Sequence, residues 1–145
     1  MGTELRGWTG AEAWIFLSIG DARAGAEASL ENVIAAADSN NHAIPRPDEF
    51  SQAVGQLLGA GLVRVTNDRY SLTASGKKLY KQINSTRRGH IERFIDTAKV
   101  WRTAAPSAEA AIPWEVDRER FDQSWRMYHG WAQRWIQKHV RKHKA

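Results

Sequence analysis

The sequence predicts a mainly α-helical protein that carries a small β-hairpin. The first observation is "GLVRVTNDRYSLTASG" at residues 61–76, where two β-prone runs flank an Asn-Asp pair. The second is that apolar residues recur at steps of three and four before and after this stretch, which is typical of helices buried on one face. The third is an aromatic C-terminal stripe, since five of the seven Trp residues follow residue 100.

Size and composition narrow the class of protein. The 145 residues are enough for one hydrophobic core. The sequence contains no apolar run long enough to span a membrane and no basic-then-apolar leader. Cys is absent, which excludes disulfides and Cys-ligated metal sites. Together these features predict a cytoplasmic protein.

The charge is divided unevenly along the chain. Residues 1–72 hold five Arg and nine acids, a net charge of −4. Residues 73–145 hold sixteen Lys or Arg and seven acids, a net charge of +9, which together with the first half gives the total of +5. An anionic partner would therefore be attracted mainly by the C-terminal half.

Three helices are predicted before the hairpin. Thr9 and Glu12 have the spacing of a capping box, and residues 13–20 behind them are apolar on nearly every face. Ser29 is expected to cap the second helix, whose inward stripe is Leu30, Val33, Ile34 and Ala37. The third helix is expected to begin at Pro47 or Asp48 and to end at Gly61, with Phe50, Val54, Leu57 and Leu58 on one face.

The hairpin and the helix after it follow from local signals. Residues 62–66 and 70–72 are β-prone, and Asn67-Asp68 can adopt the left-handed angles of a two-residue turn. Thr73 is expected to cap the next helix. Whether residues 74–102 form one helix or two is left open.

The C-terminal half is predicted to be helical and aromatic. Residues 90–101 have helical periodicity, and residues 103–113 read as a linker. A last helix is expected from about Val116 to Lys142, with this apolar stripe: Phe121, Trp125, Tyr128, Ala132, Trp135 and Ile136.

This order of elements resembles the winged-helix fold, and most closely bacterial regulators of the PadR and MarR kind. The segment "Y-x-L-T-x-x-G", here Tyr70, Leu72, Thr73 and Gly76, is similar to the exit from their wing, and "LLGAGLV" at 57–63 looks like their junction of third helix and wing. The tail "PWEVDRERFDQSWRMYHGW" is similar to C-terminal segments of uncharacterised bacterial winged-helix proteins. The resemblance implies a winged-helix domain at 1–84 and a helical, dimerising extension at 85–145.

The resemblance also implies DNA binding, with the third helix (47–60) in the major groove and the wing (62–72) on phosphates. The residues expected to contact DNA are Arg46, Ser51, Gln52, Gln56, Arg64, Asn67, Arg69, Lys77 and Lys78. The third helix itself carries Asp48 and Glu49 and no Lys or Arg, so its charge would repel phosphates. Acidic residues are also favourable in the first turn of any helix, because they interact with the positive end of the helix dipole. An alternative stays open, in which the winged-helix scaffold is a non-enzymatic protein-interaction module.

Gly55 and Gly59 lie four residues apart in the third helix. Each exposed Gly in a helix costs about 1 kcal/mol relative to Ala. The pair is either a groove where DNA or another backbone approaches closely, or a cost that is simply tolerated.

The last helix is expected to form a homodimer interface through Phe121, Trp125, Tyr128, Trp131 and Trp135. Its apolar arc is broader than one neighbouring helix covers, so the alternative is that it is sandwiched within the monomer. Two sharper interpretations remain beside these, namely stacking of exposed Trp on nucleobases and binding of phosphate by Arg134, Lys138, Arg141 and Lys142. A solvated tail is the plainer interpretation of those four cations.

No pattern in the sequence indicates catalysis. His139 and His143 have the spacing of two metal ligands, but no third ligand accompanies them, so no metal or other cofactor is expected. The sequence has no Gly-rich phosphate loop and no nucleophile elbow, and its C-terminal acids lack partners for acid–base work. We therefore expect a protein that is not an enzyme.

Overall fold

The computed structural model describes residues 10–22, 27–85 and 112–144. In this part of the chain the fold is mainly helical with a small antiparallel sheet, as the sequence predicts. The elements are α1 (Gly10–Ala22), β1 (Ala28–Ser29), α2 (Leu30–Asn41), α3 (Pro47–Gly59), β2 (Val63–Thr66), β3 (Arg69–Leu72), α4 (Ala74–Ser85) and α5 (Arg118–Lys144). The predicted cap at Thr9, the helix at 90–101 and the continuation beyond residue 85 lie outside the described residues.

Helices α2 and α3 both pack against α1, and the three helices contribute most of the core. Residues 13–20 of α1 are buried throughout, which confirms that this helix is interior. The indole Nε1 of Trp14 donates to the backbone oxygen of Ala37 at 2.9 Å and so joins α1 to α2. The Ser29 Oγ accepts from the backbone N–H of Asn32 at 3.3 Å, which confirms the predicted cap of α2.

The third helix ends as predicted at a glycine. Gly61 has φ +73°, an angle that residues with a side chain rarely adopt, and the N–H of Leu62 returns to the Leu57 oxygen at 3.0 Å. Asn67 and Asp68, with φ of 52° and 61°, make the predicted two-residue turn between β2 and β3. The hairpin is therefore confirmed.

The sheet contains a strand that the sequence did not indicate. Its order is β1-β3-β2, and Ala28 of β1 pairs with Tyr70 of β3. Tyr70 is 2% exposed and its ring lies 5.7 Å from that of Phe50 on α3. The central strand is thus tied to the core by a main-chain partner on each side and by one buried aromatic side chain.

The hairpin leads directly into α4. The Thr73 Oγ1 accepts the N–H of Gly76 at 3.1 Å, which confirms the predicted cap, and also donates to the Gly61 oxygen at 2.6 Å. The backbone oxygen of Leu62 passes so close to Gly76 that a Cβ there would lie 2.0 Å from it. The end of α3, the hairpin and the start of α4 are therefore one interlocked junction.

The last helix begins two residues later than predicted, because Asp117 caps it. The Asp117 Oδ1 accepts the N–H of Glu119 at 3.0 Å. Val116 and Phe121 belong to the same core as the first three helices, and α5 packs along α2. With 27 residues at about 1.5 Å each, α5 is far longer than the 12-residue α2 beneath it.

Candidate nucleic-acid interface

The residues expected to contact DNA fall on two surfaces with different surroundings. One is the outward side of α3, opposite its core residues Phe50, Val54 and Leu57. The other is the outer face of the hairpin together with the exposed side of α4. The helix or hairpin that carries each surface sets which of its side chains are exposed.

The start of α3 is held by its own charges. The N–H of Arg46 donates to Glu49 Oε1 at 3.4 Å, and the Arg46 Nε lies 3.8 Å from Asp48 Oδ1 in an exposed ion pair. Acids in a first turn favour the positive end of the helix dipole. This accounts for Asp48 and Glu49 without DNA, while Arg46 stays exposed beside them.

An extended segment, Ile112–Val116, lies across the outward side of α3, and we call it the strap. The N–H of Ile112 donates to the Gly55 oxygen at 3.0 Å, and the N–H of Val116 donates to the Ser51 Oγ at 2.9 Å. The Ser51 hydroxyl in turn donates to the Pro47 oxygen at 2.7 Å. Ser51 is therefore 7% exposed and fully hydrogen-bonded within the chain.

Gly55 allows the strap to come this close. A Cβ on Gly55 would lie 2.5 Å from the Ile112 backbone oxygen, a distance that no real contact tolerates. Of the two interpretations open for Gly55, the close approach of a backbone is the one observed, and that backbone belongs to the same chain. Sequence reasoning found the glycine but missed the strap.

The two glutamines of α3 have different surroundings. Gln52 is exposed at the edge of a cleft that it shares with Gly55, Pro113 and Trp114. Gln56 lines the same cleft but is 8% exposed, and its Oε1 is buried without a hydrogen-bond partner. A buried amide oxygen without a partner is rare in folded proteins because its lost hydration is not replaced.

Aromatic packing anchors the middle of the strap. The Trp114 ring lies 6.1 Å from that of Phe50 and 6.2 Å from that of Tyr70, at edge-on angles. The Phe121 ring at the start of α5 lies 5.8 Å from Phe50 on the same cluster. Burial raises the pKa of the Tyr70 hydroxyl above its usual value, and the nearby Asp68 carboxylate raises it further. The cluster therefore joins α3, the hairpin, the strap and α5.

The hairpin presents its cations on one face. Arg64 pairs with Ser71 and Thr66 pairs with Arg69, and directly opposed residues share a face of the ladder. Val63 and Tyr70 point the other way and are buried. Arg64 and Arg69 are thus exposed on the same outer face, with Asn67 exposed at the turn.

The helix after the hairpin adds lysines. Leu79 and Ile83 bury its inner side, and Lys77, Lys78 and Lys81 are exposed. We call Arg64, Arg69, Lys77, Lys78 and Lys81 the wing rim. An acid lies at its edge, where the Asp68 Oδ2 is 3.7 Å from the Arg120 Nε of α5.

The expected dimer residues on α5 separate into docked and exposed members. Phe121 is 3% exposed, and the Tyr128 hydroxyl donates to Asp38 Oδ2 of α2 at 2.5 Å. Ser124 Oγ donates to Glu31 Oε2 of α2 at 3.1 Å. Trp125, Trp131 and Trp135 are 37%, 39% and 61% exposed, so the stripe is covered in its first half and open further on.

The described residues also bear on metal binding and on crossing a membrane. Across 10–22, 27–85 and 112–144, His, Asp and Glu residues form no group of three or more that could hold a metal ion. None of the helices described there has the length and apolar content that crossing a membrane requires.

No protein-family model, curated protein or solved structure matches the chain.

Proposed function

We propose that the chain is a cytoplasmic DNA-binding protein of the winged-helix type that acts in the manner of a transcriptional regulator and is not an enzyme. The order of helices and strands supports this, as does a three-stranded sheet whose last two strands form a hairpin beside α3. The wing rim would hold the phosphates of duplex DNA. Gln52 and Gln56 of α3 are of the residue type that reads adenine in the major groove.

The observation that carries the proposal is the wing rim itself. Arg64 and Arg69 share one exposed face of a hairpin that is anchored on its other face, so their guanidinium groups can meet a phosphate backbone without rearrangement. Lys77 and Lys78 begin the next element along the chain and are equally exposed. Contacts with phosphates supply most of the affinity for DNA at low salt.

Duplex binding as a function of salt tests the proposal. Fluorescence anisotropy with a random-sequence duplex should show binding at 50 mM salt for the full chain. The double variant Arg64→Ala/Arg69→Ala should bind every duplex sequence about tenfold more weakly. The slope of log affinity against log salt concentration should also fall by about two, because two phosphate contacts are lost.

A matched control removes two cations from elsewhere. Arg126→Ala with Arg134→Ala makes the same charge change on exposed positions of α5. This variant should bind nearly as the parent does. No binding at 50 mM salt, or equal losses in both double variants, would refute a DNA site on the wing rim.

A protein-interaction module is the second candidate, and the exposed stripe on α5 favours it. Trp131 and Trp135 lie beyond the contact of Tyr128 with α2, and a patch of large apolar side chains is typical of an interface. We propose a second copy of the chain as the occupant. Light scattering should then give twice the 16.4 kDa of one chain, and Trp131→Gln with Trp135→Gln should return the monomer. A monomeric parent protein would contradict the homodimer.

A further inference from the structure

The strap lies along one flank of α3 and limits how closely that helix could approach base pairs. Its two main-chain contacts are with Gly55 and Ser51, while its Trp114 ring packs against Phe50 at 6.1 Å. At Gly55 the Ile112 oxygen lies within the volume of one absent methyl group. The strap and the floor of a major groove therefore exclude each other.

The strap is held at a few points. Its main-chain donors are the N–H groups of Ile112 and Val116, and Trp114 is its partly buried anchor. Ile112 is 49% exposed and Pro113 is exposed. The end of the strap that covers Gly55 and Gln56 is thus its weakly packed end, which can move while Val116 at the other end stays in the core.

With the strap in place, the side-chain oxygen of Gln56 lacks a hydrogen-bond partner. This oxygen is buried, although Gln52 on the same side is exposed. Moving the strap would return this amide to water or offer it to the edge of a base, which a Gln side chain contacts through both its oxygen and its nitrogen. The covered arrangement therefore carries a cost that uncovering removes.

The strap also makes the surface more acidic. The exposed Glu115 lies on it and lines a cleft together with Asp48 of α3 and Arg118 of α5, and the exposed Asp117 follows it directly. Carboxylates on this side repel the phosphates that flank a groove. Displacing the strap would carry Glu115 away from α3 and leave the exposed Arg46 at the helix start.

We infer that the strap is a gate, and that it and duplex DNA alternate on the outward face of α3. This inference rests on the proposed DNA-binding function. With the strap in place the wing rim binds DNA without regard to sequence. With its Ile112 end displaced, Gly55 and Gln56 are uncovered beside Gln52, which is already exposed, and this side of α3 becomes available for contacts with bases and flanking phosphates.

Gly55→Ala is the sharpest test. The added methyl group is incompatible with the Ile112 oxygen but improves the helix, so it should expel the strap while α3 stays intact. Ile112→Pro is the second variant, because it removes the N–H that donates to Gly55 and leaves α3 unchanged. Gly130→Ala in α5 is the matched control, since its new methyl group meets only the flexible end of Arg134 at 3.4 Å.

Two readouts on the full chain are required. Amide hydrogen exchange at Ile112 should become faster in Gly55→Ala, which breaks its hydrogen bond to Gly55, and stay unchanged in Gly130→Ala. Anisotropy with random-sequence duplexes should show tighter binding in the two strap variants, by up to about tenfold if the strap covers α3 in about nine molecules of ten, because the covered form still binds through the wing rim. Adding Gln56→Ala should weaken binding in the Gly55→Ala background and leave the parent protein unaffected, since Gln56 is buried there.

The possible results distinguish failure of the gate from failure of the proposed DNA binding. If the parent binds DNA through the wing rim but the strap variants bind no tighter while the Ile112 amide of Gly55→Ala exchanges freely, the gate is refuted and the DNA function stands. Unchanged Ile112 exchange in Gly55→Ala also refutes it, since the added methyl group would not have moved the strap. If neither the parent nor the strap variants bind DNA, the proposed function fails first.

Discussion

The hairpin and the strap both lie against α3, but they are fixed in different ways. The hairpin is part of a sheet, and each edge of β3 pairs with another strand. The strap has two main-chain hydrogen bonds to α3, the partly buried indole of Trp114, and the buried Val116 at its C-terminal end. The hairpin is thus built into the fold, whereas the strap is docked on it.

The two segments also differ in charge. The outer face of the hairpin carries Arg64 and Arg69, while the strap carries Glu115 and leads into Asp117. A winged-helix protein that reads DNA uses its third helix and its wing together. In this chain the hairpin is exposed and basic, whereas α3 is acidic at its start and partly covered by the strap, so the proposed DNA contacts are divided between an open surface and a covered one.

Two Gly→Ala substitutions compare a contact within the hairpin junction with a contact of the strap. The difference in stability between the two variants is the largest effect that we expect. At Gly76 the new Cβ would lie 2.0 Å from the Leu62 oxygen, which also accepts the N–H of Thr73 at 3.0 Å. Neither atom can move without opening the junction, so Gly76→Ala should lower the free energy of unfolding by about 2 kcal/mol.

The same substitution at Gly55 should be nearly neutral. The Ile112 oxygen can withdraw with the exposed end of the strap, and the gain of about 1 kcal/mol in helix propensity offsets the lost hydrogen bond. Urea unfolding of the two variants and the parent measures the difference. Equal losses of stability in both would show that the strap is as firmly built in as the hairpin.

The built-in parts are also the parts that the sequence predicted. Gly61, the Asn67-Asp68 pair and the caps Ser29 and Thr73 act within a few residues of themselves, so their roles follow from local backbone geometry. The core stripe of α2 follows from helical periodicity. These signals determined the helices, the hairpin and most of the wing rim.

The docked parts depend on contacts between distant residues. The bond from Val116 to Ser51 spans 65 positions, and nothing local in "IPWEV" indicates which surface it meets. Ser51 and Gln56 are polar residues on the outward side of α3, so periodicity predicts exposure where the strap buries them. β1 is two residues long, too short for any alternation to show.

The smallest expected effect concerns α5, which is docked like the strap that precedes it. Partial burial, together with the hydrogen bond to Asp38, raises the pKa of the Tyr128 hydroxyl to about 12. Because the unfolded chain loses this proton near pH 10, the stabilising contribution is complete below pH 10 and declines as the pH rises toward 12.

Tyr128→Phe removes that contribution and should therefore lose less stability than the parent between pH 9 and pH 11. Urea midpoints at the two pH values measure this, and titrating lysines affect both proteins alike, so they cancel in the difference. Equal declines would mean that the contact of Tyr128 with Asp38 does not hold α5 on α2. The docked region would then depend on its other contacts, above all those of Phe121 and Trp114 with Phe50, which do not titrate.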